Sequence, residues 1–176
     1  EETERLQEAE STLRKWEQQH QTVQSRYEAL KDMRSDYEGF LYGVKEVLKA
    51  WRNQKLKGIY GAVAELIAVP AKVELAIETA LGGALQNIIT ADEASARAAI
   101  VYLKQRRAGR ATFLPLNVIQ PRFMNSHEKS KLEQMEGFIG IAADLVSTEP
   151  KFSSIVSNLL GHVLVTETLE QANRVA

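Results

Sequence analysis

One pattern constrains this chain more than any other: apolar residues recur at alternating spacings of three and four through its first 52 residues. A heptad frame set on Leu6 gives one seam position as Leu6, Leu13, His20, Tyr27, Arg34, Leu41 and Leu48. The other is Ala9, Trp16, Val23, Leu30, Tyr37, Val44 and Trp51, so twelve of fourteen positions are apolar or aromatic. Proline is absent from this stretch, and its only glycines are Gly39 and Gly43. A seam held over seven heptads predicts a coiled-coil strand over residues 1–52 rather than a surface helix. At 1.5 Å per residue such a rod is roughly 80 Å long. A lone helix of this kind is not stable by propensity, so the seam needs another coiled-coil helix as partner. His20 and Arg34 interrupt it, and polar seam residues of this sort set register or fray locally, a reading that outweighs a pH switch at His20.

From Lys57 the pattern changes, and helical and strand signals alternate over residues 53–176, which predicts a second, α/β (mixed α and β) domain. GAVAELIAV (61–69) is apolar and β-compatible, and Pro70 stops it. AKVELAIETALGGAL reads as a helix with Val73, Ala76, Ile77, Ala80 and Leu81 on one face, followed by the buried strand NIIT (87–90). Asp92 caps a helix whose inner face is Ala96, Ala99, Ile100 and Leu103. ATFLPL (111–116) is a strand broken by Pro115, and the polar stretch that follows is a long connection with one helical turn. GFIGIAADLV (137–146) holds a strand, Pro150 precedes the helix KFSSIVSNLL, HVLVTE is a strand, and Thr168 caps a last helix. No internal repeat is evident from the residues.

The chemistry on offer is narrow. Phosphate-binding glycine loops follow a strand and open a helix, because the helix N-terminus supplies free N–H groups and positive potential. Gly82-Gly83 stand in the reverse order, between a helix and a strand, so their expected role is structural. His20, His127 and His162 fall in three separate segments with no ligand spacing, and cysteine is absent. No metal site, cofactor or catalytic residue is therefore expected, and the chain is read as not an enzyme. No apolar run is long enough for a membrane span, and the acidic, polar start EETERLQEAE does not resemble a signal peptide, so a cytoplasmic location is expected. Charge is the exception. The formal net charge is only −1, yet between Ala94 and His127 six basic residues occur with no acidic one. Lys104, Arg106, Arg107 and Arg110 crowd into LKQRRAGR. A helix C-terminus attracts cations, and a phosphate backbone is attracted by them; from charge alone the two readings stand level.

Six segments, GVKEVLKA, LKGIYGAVAELI, ALGGALQNIIT, YLKQRRAGRATFLPL, GFIGIAADLV and LLGHVLVTE, resemble in that order the hinge domain of bacterial SMC (structural maintenance of chromosomes) proteins. The resemblance runs from about Gly43 to Ala176 and implies an SMC hinge-like domain of two small subdomains after a coiled-coil arm. It implies a toroidal homodimer with a second SMC hinge, at the far end of a long antiparallel coiled coil from an ATPase head, joining two chains around DNA in chromosome condensation and segregation. ATP chemistry would belong to the head, not to this span. It further implies weak DNA binding that does not read sequence, with Lys104 matching the lysine of the family's Tyr-Leu-Lys motif; Arg106, Arg107 and Arg110 extend that site on charge. Family hinges continue past the last helix into a strand, a glycine-rich segment and a returning helix, so self-association through this span alone is expected to be impaired. The remaining edge expected at the dimer interface is Gly137, Phe138, Ile139, Gly140, Ile141 and Ala142. A nucleoid-associated, cytoplasmic protein follows. The competing expectation is a coiled-coil adaptor carrying an α/β ligand-binding domain.

Overall fold

The computed structural model describes residues 2–35 and 37–175 and divides into two compact units, Glu1–Phe40 and Leu41–Ala176. The first unit is one long helix, α1 (Glu2–Ser35). Its seam side chains Leu13, Trp16, Val23, Tyr27 and Leu30 are all more than half exposed, and so is the interface they would offer another helix. Seam positions Leu6, Ala9 and Arg34 lie outside the described side chains, as does Ala176 at the end of the second unit.

The single rod expected through residue 52 is two helices. Tyr37 and Gly39 take positive φ (52° and 91°), and the Phe40 N–H donates to the Tyr37 carbonyl at 3.1 Å, closing a turn that stops the helical ladder. A second helix, α2 (Tyr42–Arg52), belongs to the second unit and buries Val44, Val47, Leu48 and Ala50. Heptad positions Val44 and Leu48 thus serve a globular core. A period of 3.5 says that a helix has one apolar face, and not what covers it.

The second unit holds two lobes. In the first, β1 (Ile59–Ala62) leads into a one-turn helix α3 (Val63–Leu66), a short strand β2 (Ile67–Ala68) and helix α4 (Glu74–Leu81). Strand β3 (Ile88–Thr90), helix α5 (Glu93–Arg106) and strand β4 (Phe113–Pro115) complete it. The sheet order is β1-β3-β4, antiparallel then parallel. A connection carrying α6 (Ser126–Leu132) leads to the second lobe: β5 (Phe138–Ile141), α7 (Ala142–Leu145), β6 (Ser147–Thr148), α8 (Ser153–Leu160), β7 (Leu164–Thr166) and α9 (Leu169–Val175). Here β5 pairs antiparallel with β7.

The lobes repeat one design, contrary to the expectation of no internal repeat. Gly58, Gly61, Leu66 and Leu81 recur as Gly137, Gly140, Leu145 and Leu160. Both first strands carry an irregularity, between Ile59 and Gly61 and between Phe138 and Gly140. Val63 N–H donates to Asn87 O at 2.9 Å, and Ala142 N–H to Val163 O at 2.8 Å. Thr90 Oγ1 donates to Asp92 O at 3.0 Å, and Thr166 Oγ1 to Thr168 O at 3.1 Å. The lobes meet where β2 pairs antiparallel with β6, Ile67 opposite Thr148 and Ala68 opposite Ser147. Such reciprocal pairing is what a local two-fold relation between two copies produces.

The repeat also corrects one expected strand. Residues 61–69 are strand, helical turn and strand, whereas 137–146 holds the strand expected there, β5, followed by the one-turn α7. In the first, Glu65 Oε2 accepts the Ala62 N–H at 3.2 Å, satisfying a donor that a continuous strand would give to a ladder. The connection likewise holds two turns of helix rather than one, with Asn125 Oδ1 accepting from the His127 N–H at 3.1 Å as its cap. Of the face expected on this helix only Val73, just before α4, and Ile77 and Leu81, on it, face the core; Ala76 and Ala80 are exposed. On α5, Ala96, Ala99 and Leu103 are buried and Ile100 is exposed. One core unites the lobes, built around Ile77, Leu81, Ile89, Phe152, Ile155 and Leu160.

Candidate nucleic-acid interface and contact surfaces

Helix α5 starts at a cap and ends in a cluster of charge. Asp92 Oδ1 accepts the Ser95 N–H at 2.7 Å. That backbone hydrogen bond, then the Ser95 side chain, holds the Asp92 carboxyl below its ordinary value. One turn on, Arg97 is committed to Glu93 at 2.6 Å, a hydrogen bond that raises the guanidinium's pKa.

At the other end, Arg107 ends the helix in the left-handed conformation (φ 52°, ψ 37°). Its N–H and that of Ala108 return to the carbonyls of Lys104 (3.2 Å) and Leu103 (3.0 Å). Gly109 (φ 83°) then turns the chain into Arg110 and β4. Lys104, Arg106, Arg107 and Arg110 are thereby gathered at one corner, all exposed, while Ala108 is fully buried beneath them. Arg106 lies over the Tyr102 ring, 4.9 Å from its centroid. Among the described residues none of the four takes part in an ion pair. The remaining two cations of the acid-free stretch are elsewhere, Arg97 toward the start of α5 and Arg122 in the connection.

The corner is braced by α2. A Cβ at Gly43 would overlap the Arg110 carbonyl, so glycine lets the start of α2 lie against the turn. At the far end Gly58 abuts Ser95 near the start of α5, so the two helices run side by side in opposite directions. Reading residues 1–52 as rod concealed the cations of α2, Lys45, Lys49 and Arg52, with Glu46 the one acid among them; Lys55 and Lys57 follow beyond its far end. Five bases in thirteen residues was the available signal.

The segment expected at a subunit contact is placed differently along its length. Phe138, Ile139 and Gly140 are half-buried, whereas Ile141 and Ala142 are core residues at 6% and 0% exposure. Its glycines are explained within the chain. Gly137 has φ 78° and lies against the Gln171 side chain, and a Cβ on Gly140 would sit 3.2 Å from Leu145. Among the described residues β5 pairs with β7 on one side only. His20, His127 and His162 lie on α1, on α6 and after α8, and no cluster able to hold a metal occurs among the described residues. No described helix is long and apolar enough to cross a membrane.

The family model of the SMC proteins Flexible Hinge Domain matches residues 56–176. The chain belongs to the SMC hinge family. The chromosome partition protein Smc of Bacillus subtilis is 48% identical over 167 residues, which are 95% of this chain and 14% of that protein. Smc of Halothermothrix orenii is 44% identical over 84% of this chain and 12% of its own length. The hinge thus spans about one-seventh of the curated relatives it matches. Among solved structures, the Geobacillus stearothermophilus SMC hinge domain, crystallised as an asymmetric dimer, superposes with a TM-score of 0.86 at 47% identity, over 95% of this chain and 66% of that one. The Pyrococcus furiosus SMC hinge domain gives 0.63 at 32% identity, over 81% of this chain and 71% of that one.

Proposed function

We propose that this hinge is the dimerisation module of a chromosome partition protein and that its cationic corner holds DNA without reading base sequence. The observation that carries the DNA reading is the exposure, at one helix end, of Lys104, Arg106, Arg107 and Arg110 within 34 residues that contain no acid. Exposed cations without carboxylate partners exchange readily onto phosphate, releasing condensed counterions. Self-association runs through a second hinge, with Gly137–Ala142 contributing its half-buried residues and the open side of β5. The exposed α1 seam takes another coiled-coil helix, its five described apolar or aromatic positions being the face such a partner covers. In the longer protein these parts act at the nucleoid in the cytoplasm, and ATP chemistry lies outside this span. A ligand-binding adaptor finds less support: the enclosed cavity bounded by Leu66, Leu81, Phe152 and Leu159 measures about 10 Å³, no more than one water occupies, and the larger hollow of about 320 Å³ beside Glu74 and Glu78 of α4 is open to solvent.

The test is a gel-shift and fluorescence titration with single- and double-stranded probes of unrelated sequence. Four phosphate contacts predict a fall of log K with log salt of slope about −3 to −4 on duplex DNA. Reversing Lys104 and Arg107 to glutamate is expected to remove roughly half of that slope and weaken every probe alike. Unchanged affinity in a folded double variant would place binding elsewhere.

A further inference from the structure

The ALGGAL motif is not used by anything described so far, and the repeat gives it a counterpart. Helix α4 corresponds to α8, so Gly82-Gly83 follow the first as Gly161 follows the second. At the end of α8 the glycine is explained by a neighbour. The extended connection crosses there, with Asn158 Nδ2 donating to Gln120 O at 2.7 Å and the Arg122 carbonyl lying where a Cβ on Gly161 would sit. Ile119 packs beside this crossing onto the core.

At the end of α4 the same place is bare. A Cβ on Gly82 or Gly83 would meet nothing within 4 Å. Gly82 needs its glycine for φ 46°, but Gly83 is not in the left-handed region and has open space around it. Glycine without a conformational need is costly in chain entropy and is kept where another backbone comes close. The neighbouring face agrees: Ala76 and Ala80 are exposed and small where α8 carries Ile155, buried, and Leu159, half-buried. Thr79, the counterpart of Asn158, has its hydroxyl committed to Leu75 O at 2.7 Å, so contact at this place would be between backbones and not through a side-chain donor.

The repeat also says which segment fits. In the first lobe β4 feeds directly into residues 116–123, which cross to the second lobe and cover α8. The second lobe reaches α9, the counterpart of α5, and the two-fold relation sends the chain that follows it back across α4. The Geobacillus hinge chain on which this one superposes is longer, this chain spanning 66% of it. We propose that the Gly82-Gly83 end of α4 docks an extended segment of the same chain, the one following α9 in the longer protein, as residues 119–123 dock on α8.

The test compares the 176-residue chain with one continued past Ala176 through the full hinge. Gly83→Ala and Gly83→Leu are expected to leave thermal unfolding of the shorter chain unchanged or slightly improved. In the longer chain Gly83→Leu should lower the midpoint by about 4 °C or more, with Gly83→Ala between. Wild-type amide exchange at Gly83 and Ala84 should slow by about tenfold or more on extension, independent of protein concentration. Equal effects of the substitutions in both chains, or no slowing, would overturn the proposal. So would protection that disappears on dilution, which would make the occupant a second copy.

Discussion

The first lobe and the second are built from the same sequence of elements, with the same backbone bonds at corresponding places, yet they differ in what fills and covers them. Where the first has Val73 the second has Phe152; where the first ends α4 in open space, the second ends α8 under the connection. The first carries the cationic corner after α5. What the pair teaches is that hydrogen bonds to the main chain hold the common frame, while side-chain volume and charge are free to diverge around it. The threonine hydroxyls and helix caps recur as bonds to the main chain, the caps satisfying first-turn N–H groups that the helix itself leaves open. Core side chains need only fill a volume, so they vary.

The largest expected effect tests that division. Phe152 is 1% exposed, packs edge-on against Tyr60 at 5.4 Å between ring centroids, and fills the space between the lobes. Lys151 Nζ stands 4.9 Å from the Tyr60 ring and 4.7 Å from the Phe152 ring, closing the site from outside. Phe152→Ala is expected to cost about 3–5 kcal/mol in urea unfolding. Val73→Ala, at the corresponding position with less volume removed, should cost about half as much or less. Equal losses would mean that the two positions carry the same packing burden and that volume is not where the lobes differ.

A middle-sized effect addresses the shared frame. Gly58 (φ 68°) and Gly137 (φ 78°) precede the first strand of each lobe, and each lies against the third residue after a helix cap, Ser95 or Gln171. Alanine at either position adds a left-handed penalty of about 1–2 kcal/mol to a steric overlap. The lobes should separate when the overlap is relieved. Gln171→Ala should recover part of the Gly137→Ala loss, whereas Ser95→Ala leaves the Ser95 Cβ 2.8 Å from the added atom and should recover less. Calorimetry on both double-mutant pairs decides it, and identical recovery would show that the overlap does not set the difference.

How much of this was legible before any coordinates follows the same line between local and distant causes. Strands β3, β4 and β7 and helix α5 each carry a local signal, an apolar run or a cap such as Asp92, and each lies within the span expected for it. The cationic corner was legible because LKQRRAGR is contiguous. The bracing by α2 was not, since the match of Gly43 to Arg110 joins residues far apart in sequence. The one-turn helices α3 and α7 escaped because Val63-Ala64 and Ala142-Ala143 suit a strand as well as a turn. The end of α1 escaped because a tyrosine in the left-handed region has no sequence signature. The repeat escaped because a few glycines and leucines match while most side chains between them do not.

The smallest expected effect separates the two helix caps by their chemistry. Asp92 and Thr168 occupy corresponding positions, each accepting the N–H of the third residue on, Ser95 at 2.7 Å and Gln171 at 3.3 Å. Gln171 reciprocates, its Oε1 accepting the Thr168 N–H at 3.0 Å. Only the first cap ionises. Hydrogen bonds to the charged form hold the Asp92 pKa below its ordinary 3.8, so the folded state binds that proton less readily than the unfolded one. Its contribution is therefore fully present above the ordinary carboxylate value and is lost as pH falls through the lower, folded value. The stability deficit of Asp92→Ala should stay constant from about pH 7 to about pH 5 and shrink below about pH 4. Thr168→Ala, expected to cost about 1 kcal/mol, has nothing to titrate and should keep its deficit over the same range. Urea midpoints for both variants against the parent chain across that range read the difference directly. A deficit for Asp92→Ala that does not narrow in acid would mean its cap works through the neutral carboxyl as well as the charged one, and that the two lobes begin these helices by the same uncharged device.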